Sequence, residues 1–158
     1  MTHRTILISP DPKLRLVSKD ISTDEIHTEE TQILIQDMIE TMVLDNGIGI
    51  AAPQINVLKR IIIVDIGDNQ PTAFINPKIR SKSILKSECE EGCLSVPGVF
   101  GMVKRHKSVT VEARDQTGKL CLFRAVGLLS IVFQHEIDHL DGIIFIDKVT
   151  RYTAHPKL

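Results

Sequence analysis

Nowhere in the 158 residues does an apolar run approach the length that spans a bilayer. The longest candidates, Ile61-Ile62-Ile63-Val64 and Leu128 to Phe133, have the size of a strand or a short helix. The opening Met1-Thr2-His3-Arg4 lacks the apolar stretch of a secretory signal. No membrane partner is therefore expected, and a reducing cytoplasm of bacterial type is the expected compartment. An excess of one charge is also missing. The 19 Lys and Arg against 20 Asp and Glu leave a formal net charge of −1. That argues against general nucleic-acid binding and direct DNA contact, though a local basic patch meeting a ribosome stays compatible with it. Cysteine is scarce and odd in number: Cys89, Cys93 and Cys121. Such a set does not read as a disulfide framework, so each is expected to be a small core side chain, a metal ligand or a reactive thiol. No repeat, low-complexity stretch or linker interrupts the chain. Residues 1–158 read as a single domain large enough to bury a core.

What is present divides into helix, strands and helix. Residues 10 to 20 carry Pro10 and Pro12 among alternating charges and read as an irregular opening. Ser22 then offers an N-cap with Glu25 three residues on, a capping box, and Ile21 and Ile26 occupy the positions of a hydrophobic staple. Ile26, Ile33, Leu34, Met38, Met42 and Val43 continue at helical spacing until Asn46-Gly47, which predicts one helix over about residues 23 to 44. From Lys59 to about Phe123 the signals are those of strands: a β-branched run at Arg60 to Asp65, and partial alternation at Ala73 to Ile79 and Lys107 to Arg114. Gly67-Asp68-Asn69, Val96-Pro97-Gly98 and Asp115 to Gly118 read as turns between them. Gly127 to Leu140 reads as a second helix that stops before Gly142. A strand-like Ile143-Ile144-Phe145-Ile146 comes next, and the tail, Tyr152 to Leu158, reads as mobile. This order predicts an α+β fold, mostly antiparallel.

Chemistry concentrates in His135-Glu136-Ile137-Asp138-His139. On a helix, positions four apart share a face, so both imidazoles can bind one metal ion with Glu136 beside them. The same face carries Leu128, Ile131 and Val132 one and two turns earlier, so the histidines continue an apolar stripe toward a pocket. A catalytic site needs a third protein ligand. The metzincin continuation H-E-x-x-H-x-x-G-x-x-H holds through Gly142 and then fails at Phe145. No glutamate follows Glu136, and Asp141, Asp147 and His155 lack a supporting pattern. Upstream, Glu91-Gly92-Cys93-Leu94-Ser95 offers a thiolate, a weak signal on its own. A third segment, Gly47-Ile48-Gly49-Ile50-Ala51-Ala52-Pro53-Gln54, has almost no side-chain bulk. It suits either a tight crossover after a helix or close approach of backbone to a ligand. It lacks the G-x-x-x-x-G-K of a phosphate loop.

These three motifs, in this order, resemble the signature motifs of the peptide deformylases: Gly47 to Gln54, Glu91 to Ser95, and Gln134 to His139. Asp11-Pro12-Lys13-Leu14-Arg15 also resembles that family's opening segment, so the likeness runs to about residue 147. The resemblance implies a hydrolase that removes the formyl group from the N-terminal formylmethionine of newly made polypeptides. It implies mostly antiparallel sheets packed around a central metal-binding helix. Cys93, His135 and His139 would be the metal ligands, with water in the fourth position. Glu136 would be general base and acid, and Gln54 with the Leu94 N–H would form the oxyanion site. Ile48, Gly49, Glu91, Gly92, Leu128, Ile131 and Val132 would bind substrate, with Ile48 and the last three enclosing the methionine side chain. A peptide would pair with the segment near Gly47 to Gly49 as an added strand.

A thiolate with two imidazoles suits one divalent ion: zinc, iron(II), cobalt or nickel, with Fe(2+) implied by the family. Asp138 and Glu91 are candidate supports for the imidazoles, Glu91 also pairing with Arg105. The implied partners are N-formylmethionyl nascent peptides and a ribosome near its exit tunnel. Two departures stand out. Gly98-Val99-Phe100-Gly101 is uncharged where some members carry a basic residue, and no C-terminal helical pattern follows residue 147. The competing readings are a zinc endopeptidase, disfavoured by Phe145, and a binding protein with a structural metal, in which Glu136 would have no role.

Overall fold

The capping box at Ser22 forms, but the helix it opens lasts one turn. The computed structural model describes residues 2–67 and 69–154 and places α1 at Thr23–Ile26 and α2 at Glu29–Leu44. Ser22 accepts from the Glu25 N–H at 3.2 Å and its own N–H donates to the Glu25 carboxylate at 2.8 Å. The predicted single helix over 23 to 44 breaks because Thr28 is a second N-cap. Its hydroxyl accepts from the Thr31 N–H at 3.3 Å and donates to the Glu25 carbonyl at 2.8 Å, closing α1 and opening α2 together. Helix α2 ends as expected, with Asn46 at φ 56° and the Gly47 N–H returned to the Met42 carbonyl at 2.8 Å.

Among the described residues the strands form two antiparallel sheets. One has the order β1 (Gly49–Ala51), β2 (Ile61–Asp65), β3 (Pro71–Lys82), β6 (Ser108–Arg114), β7 (Leu120–Val126). The other has the order β4 (Lys86–Cys93), β5 (Val96–His106), β8 (Val149–Ala154). Strand β2 explains its own sequence. Ile61 and Ile63 point to the cluster with Ile35, Met38 and Met42 of α2, while Ile62 and Val64 point to the opposite face. A strand covered on both faces has no polar positions. That second face meets α3 (Leu128–Leu140), whose Val132, Phe133, Ile137 and Leu140 pack on Phe74, Val109, Val111 and Ala125. Phe133 meets Phe74 edge to face at 4.7 Å between centroids. Gln134 fastens the helix to β5, donating to the His106 carbonyl at 2.9 Å and accepting from its N–H at 3.1 Å. The architecture is therefore the α+β one expected, with α3 central.

Four local expectations are corrected. Val96-Pro97-Gly98 is not a turn but the start of β5. Cys93 pairs with Val96, so the turn falls on Leu94-Ser95, and Pro97 is tolerated at a strand's beginning. Ile143 to Ile146 is not a strand. Phe145–Asp147 forms a 3-10 turn, because Ile144 and Phe145 are drawn into a core with Leu14 and Val103 and Asp147 accepts from the Ile144 N–H at 3.0 Å. The start of the tail is ordered: Tyr152 to Ala154 belong to β8, which pairs with β5. The opening segment holds a 3-10 turn at Pro12–Arg15 capped by Asp11. Asp68 of the Gly67-Asp68-Asn69 turn, and the tail's 155–158 with His155, lie outside the described residues.

Candidate metal centre

Helical spacing sets His135 and His139 on one face of α3, ring centroids 4.9 Å apart. The third donor arrives from the other sheet, where the tight β4–β5 turn holds Cys93 over that face. Its Sγ lies 3.2 Å from His139 Nε2. One ligand atom from each of Cys93, His135 and His139 lies within 4.8 Å of the other two. Among the described residues this group has three members, not the four of a closed structural site. The donors fit a divalent metal: a thiolate and two imidazoles whose ring nitrogens converge.

Behind the cluster stands a buried ionic network. Glu91 Oε2 lies 2.8 Å from His135 Nδ1, which leaves Nε2 to face Cys93. Arg105 grips the same carboxylate with two bonds, at 2.7 and 3.0 Å, and reaches Asp138 at 2.5 Å. Lys148 donates to both Asp138 oxygens, at 2.6 Å to the one Arg105 holds and at 2.7 Å to the other. Burial alone would raise the Glu91 pKa, but the bonds from His135 and Arg105 outweigh it and hold the group at about 2. Glu91 thus spends both oxygens inside the protein. Burial pushes His139 well below its ordinary range, and the neighbouring His135 adds to the effect. A neutral imidazole is the form that binds metal. Cys89 is half-buried and faces Val103 and Glu91, and burial lifts its thiol to about 11. It stays protonated at neutral pH and supplies no thiolate.

Glu136 is buried beside the three donors, and its Oε2 has no hydrogen-bond partner in the protein. Burial raises its pKa to about 7. The bulk-free segment now has its reason. A Cβ on Gly49 would sit 2.5 Å from Glu136 Oε1 and 2.9 Å from Val132 Cγ1. With Glu136 as the general base and acid that the resemblance implies, Gly49→Ala is expected to lower turnover about tenfold or more by displacing that carboxylate. Steady-state kinetics against a thermal melt would test it: a lowered melt with unchanged turnover per folded molecule would reject this account. Gln54 bridges the segments, accepting from the Ala51 N–H at 2.8 Å and donating to Ser95 Oγ at 3.1 Å. The same Nε2 lies 3.5 Å from Cys93 Sγ.

A cavity of about 470 Å³ opens onto these groups. Glu136, Gln54, Leu94, Cys93 and His135 line it, with Ile48, Gly49, Glu91, Gly92, Leu128, Ile131 and Val132. His139 sits behind the cavity wall and is buried. Sequence reasoning does not place Asn46, Glu90 or Pro97 there, and it sets Phe100 near the substrate only as part of the uncharged Gly98-Val99-Phe100-Gly101 loop. One signal points to Phe100. A Cβ on Gly92 would fall 2.6 Å from its ring, so the glycine of the Glu91-Gly92-Cys93 motif makes room for it.

This arrangement has parallels. The polypeptide deformylase family profile matches residues 3–155. The chain is 50% identical over 145 residues to a peptide deformylase of Halothermothrix orenii, covering 89% of this chain and 90% of that one. It is 43% identical over 155 residues to that of Rhizobium meliloti, covering 96% and 87%. A crystal structure of the class I type b peptide deformylase from Acinetobacter baumannii with Met-Ala-Ser bound superposes with a TM-score of 0.90. It shares 32% identity and covers 94% of this chain and 99% of that one. The chain belongs to the polypeptide deformylase family.

Proposed function

We propose that this protein is a peptide deformylase that removes the N-formyl group from the N-terminal formylmethionine of newly synthesised polypeptides. The carrying observation is the buried Glu136 carboxylate, whose Oε2 has no hydrogen-bond partner, beside a three-donor cluster at an apolar cavity. Cys93, His135 and His139 would hold one divalent ion, Fe(2+) as the working metal, with Zn(2+), Ni(2+) or Co(2+) compatible with the same donors. That ion supplies Lewis acidity, polarising the formyl carbonyl and bringing the pKa of a water toward neutrality.

The remaining work falls to the chain. Glu136 takes a proton from the water as its oxygen adds to the formyl carbon. Gln54 Nε2 and the Leu94 N–H stabilise the oxyanion that develops. Glu136 then gives its proton to the amine nitrogen as the C–N bond breaks, releasing formate and a free N-terminus. Ile48, Leu128, Ile131 and Val132 form the apolar wall for the unbranched methionine side chain. Strand β1 is an edge of its sheet, so its outer side is open to pairing with a peptide backbone.

Nascent chains would be met at the ribosome, near the exit tunnel, in a bacterial-type cytoplasm. The local basic patch that would favour a ribosomal contact is a second cleft lined by Lys82 and Lys86, together with Arg80, Lys104 and Lys148, which pair with Glu112, Glu88 and Asp138. No helix among the described residues is long and apolar enough to cross a membrane.

The test is formate release from formyl-Met-Ala-Ser by protein loaded anaerobically with iron(II). Catalytic release that tracks bound metal is expected. A folded protein with one metal per chain and no release would overturn the proposal and leave a structural metal site as the better reading.

A further inference from the structure

A sheet edge can pair with another chain, and folds ordinarily blunt their edges with short strands, bulges, charge or proline. The described residues present four edges, and three of them are blunted. Strand β1 is three residues long. Strand β4 carries exposed Lys86, Glu88 and Glu90, and β8 is broken by register shifts against β5. Strand β7 is different. Its seven residues pair with β6 without a shift, it contains no proline, and Arg124 is its one charge. Its outward side chains include Leu120, Leu122 and Val126, exposed at 54%, 67% and 59%.

The backbone is open in the same place. The Asp115 N–H donates to the Lys119 carbonyl and the Gly127 N–H to the Lys107 carbonyl, both at 3.0 Å. These two bonds fix the phase of the ladder: Lys119, Cys121, Phe123, Ala125 and Gly127 turn their backbone groups to β6. Leu120, Leu122, Arg124 and Val126 therefore turn theirs away from it, and β7 ends the sheet. On the inner face the Phe123 ring packs against Phe74 and Phe133, at 5.6 and 5.3 Å between centroids, yet it is only half-buried at this edge.

The strand is complementary to itself. A two-fold axis at Phe123 sets Leu120 against Val126 of a second copy and Leu122 against its Arg124. Outward groups then meet outward groups along the whole strand, which makes about eight backbone hydrogen bonds. Leu120 and Val126 cover each other. The Arg124 stem lies on the second copy's Leu122, and its head reaches toward Glu112, the β6 neighbour of that leucine. The two Phe123 residues meet on the axis as a non-hydrogen-bonded pair, where side chains approach closest. An axis one residue earlier would set Leu120 against Arg124 and run Val126 past the end of the strand. We infer that the protein forms a two-fold dimer through β7, joining the five-stranded sheets of two copies into one continuous sheet. The pairing closes on itself and leaves β1, at the far edge of each sheet, free. A contact one strand wide belongs to the small end of specific interfaces, under about 1,200 Å² in total, so the dimer is reversible, with a Kd on the order of micromolar.

The experiment is sedimentation equilibrium of the whole chain from about 2 to about 200 µM, a range that brackets such a Kd. The weight-average mass should rise from that of one chain toward that of two. Leu122→Lys sets a like charge against Arg124 of the second copy and should weaken association about tenfold or more. Leu44→Lys, at an exposed apolar position of α2, should leave association unchanged. Amide hydrogen exchange reads the same contact in the unaltered chain. The N–H groups of Leu120, Leu122, Arg124 and Val126 should exchange about fivefold more slowly at the high concentration than at the low one. Those of Cys121, Phe123 and Ala125 should stay protected at both. A single-chain mass across the range would overturn the inference. So would a mass that climbs beyond two chains, or a dimer that Leu122→Lys leaves intact or Leu44→Lys disrupts equally. Outward amides whose exchange ignores concentration would overturn it as well.

Discussion

Glu136→Ala protein, loaded with metal, is expected to release formate at least a hundredfold more slowly than the unaltered chain. General acid–base catalysis by a positioned side chain contributes roughly 10²- to 10⁴-fold. In the proposed mechanism one carboxylate serves both proton transfers, so its loss should remove both. Its environment suits that double role. In the metal-free chain burial lifts its pKa toward neutrality, to about 7. Glu136→Gln should be equally inactive, since it keeps the shape and removes the exchangeable charge.

Stability should move the other way. In the metal-free protein the folded-state pKa of about 7 exceeds the ordinary 4.5. The folded chain therefore holds this proton more tightly than the unfolded chain. Ionising the group as pH rises from 4.5 to about 7 works against folding. Metal-free Glu136→Gln should accordingly gain stability relative to the parent through that window. Urea titrations of both proteins at pH 4 and pH 8 would measure it. A variant that binds metal stoichiometrically and keeps more than a tenth of the turnover would remove Glu136 from the mechanism.

The part of this site legible in the sequence is the part that helix periodicity encodes. His135, Glu136 and His139 follow Leu128, Ile131 and Val132 on one face, and α3 presents them that way. Cys93 is different. Its meeting with His139 spans 46 residues and two separate elements, which no local pattern carries. Only the likeness of whole motifs links them. The break near residue 28 is hidden because apolar spacing runs straight through Thr28. A threonine hydroxyl that serves two neighbouring backbone groups ends one helix and starts another. Strand β8 is hidden because an edge strand with one paired side shows little of the alternation that marks a half-buried one. Phe100 escapes a local reading because its reason lies in Gly92, across the β4–β5 turn.

Arg105→Met should be the most destabilising of the changes proposed. The guanidinium is 3% exposed, Glu91 4% and Asp138 14%. Methionine would fill much of the volume and leave buried Glu91 without its guanidinium, while Asp138 keeps Lys148. Breaking such a buried pair from one side typically costs about 3–5 kcal/mol. The cost has a pH signature. The depressed Glu91 pKa contributes stability that is present above 4.5 and is lost as pH falls toward about 2. The shift corresponds to roughly 3 kcal/mol in total, of which Arg105 supplies a part. Parent and variant should therefore differ most at neutral pH and converge in acid.

A second consequence separates this arginine from an ordinary structural one. Glu91 fixes His135 through Nδ1, and Arg105 fixes Glu91, so the variant should bind its metal about 10- to 100-fold more weakly even where it is fully folded. Chelator competition at low temperature would read this apart from stability. Unchanged metal affinity in a destabilised variant would confine Arg105 to the fold. Weakened affinity would mean that the network behind the cluster sets how firmly its imidazoles are aimed.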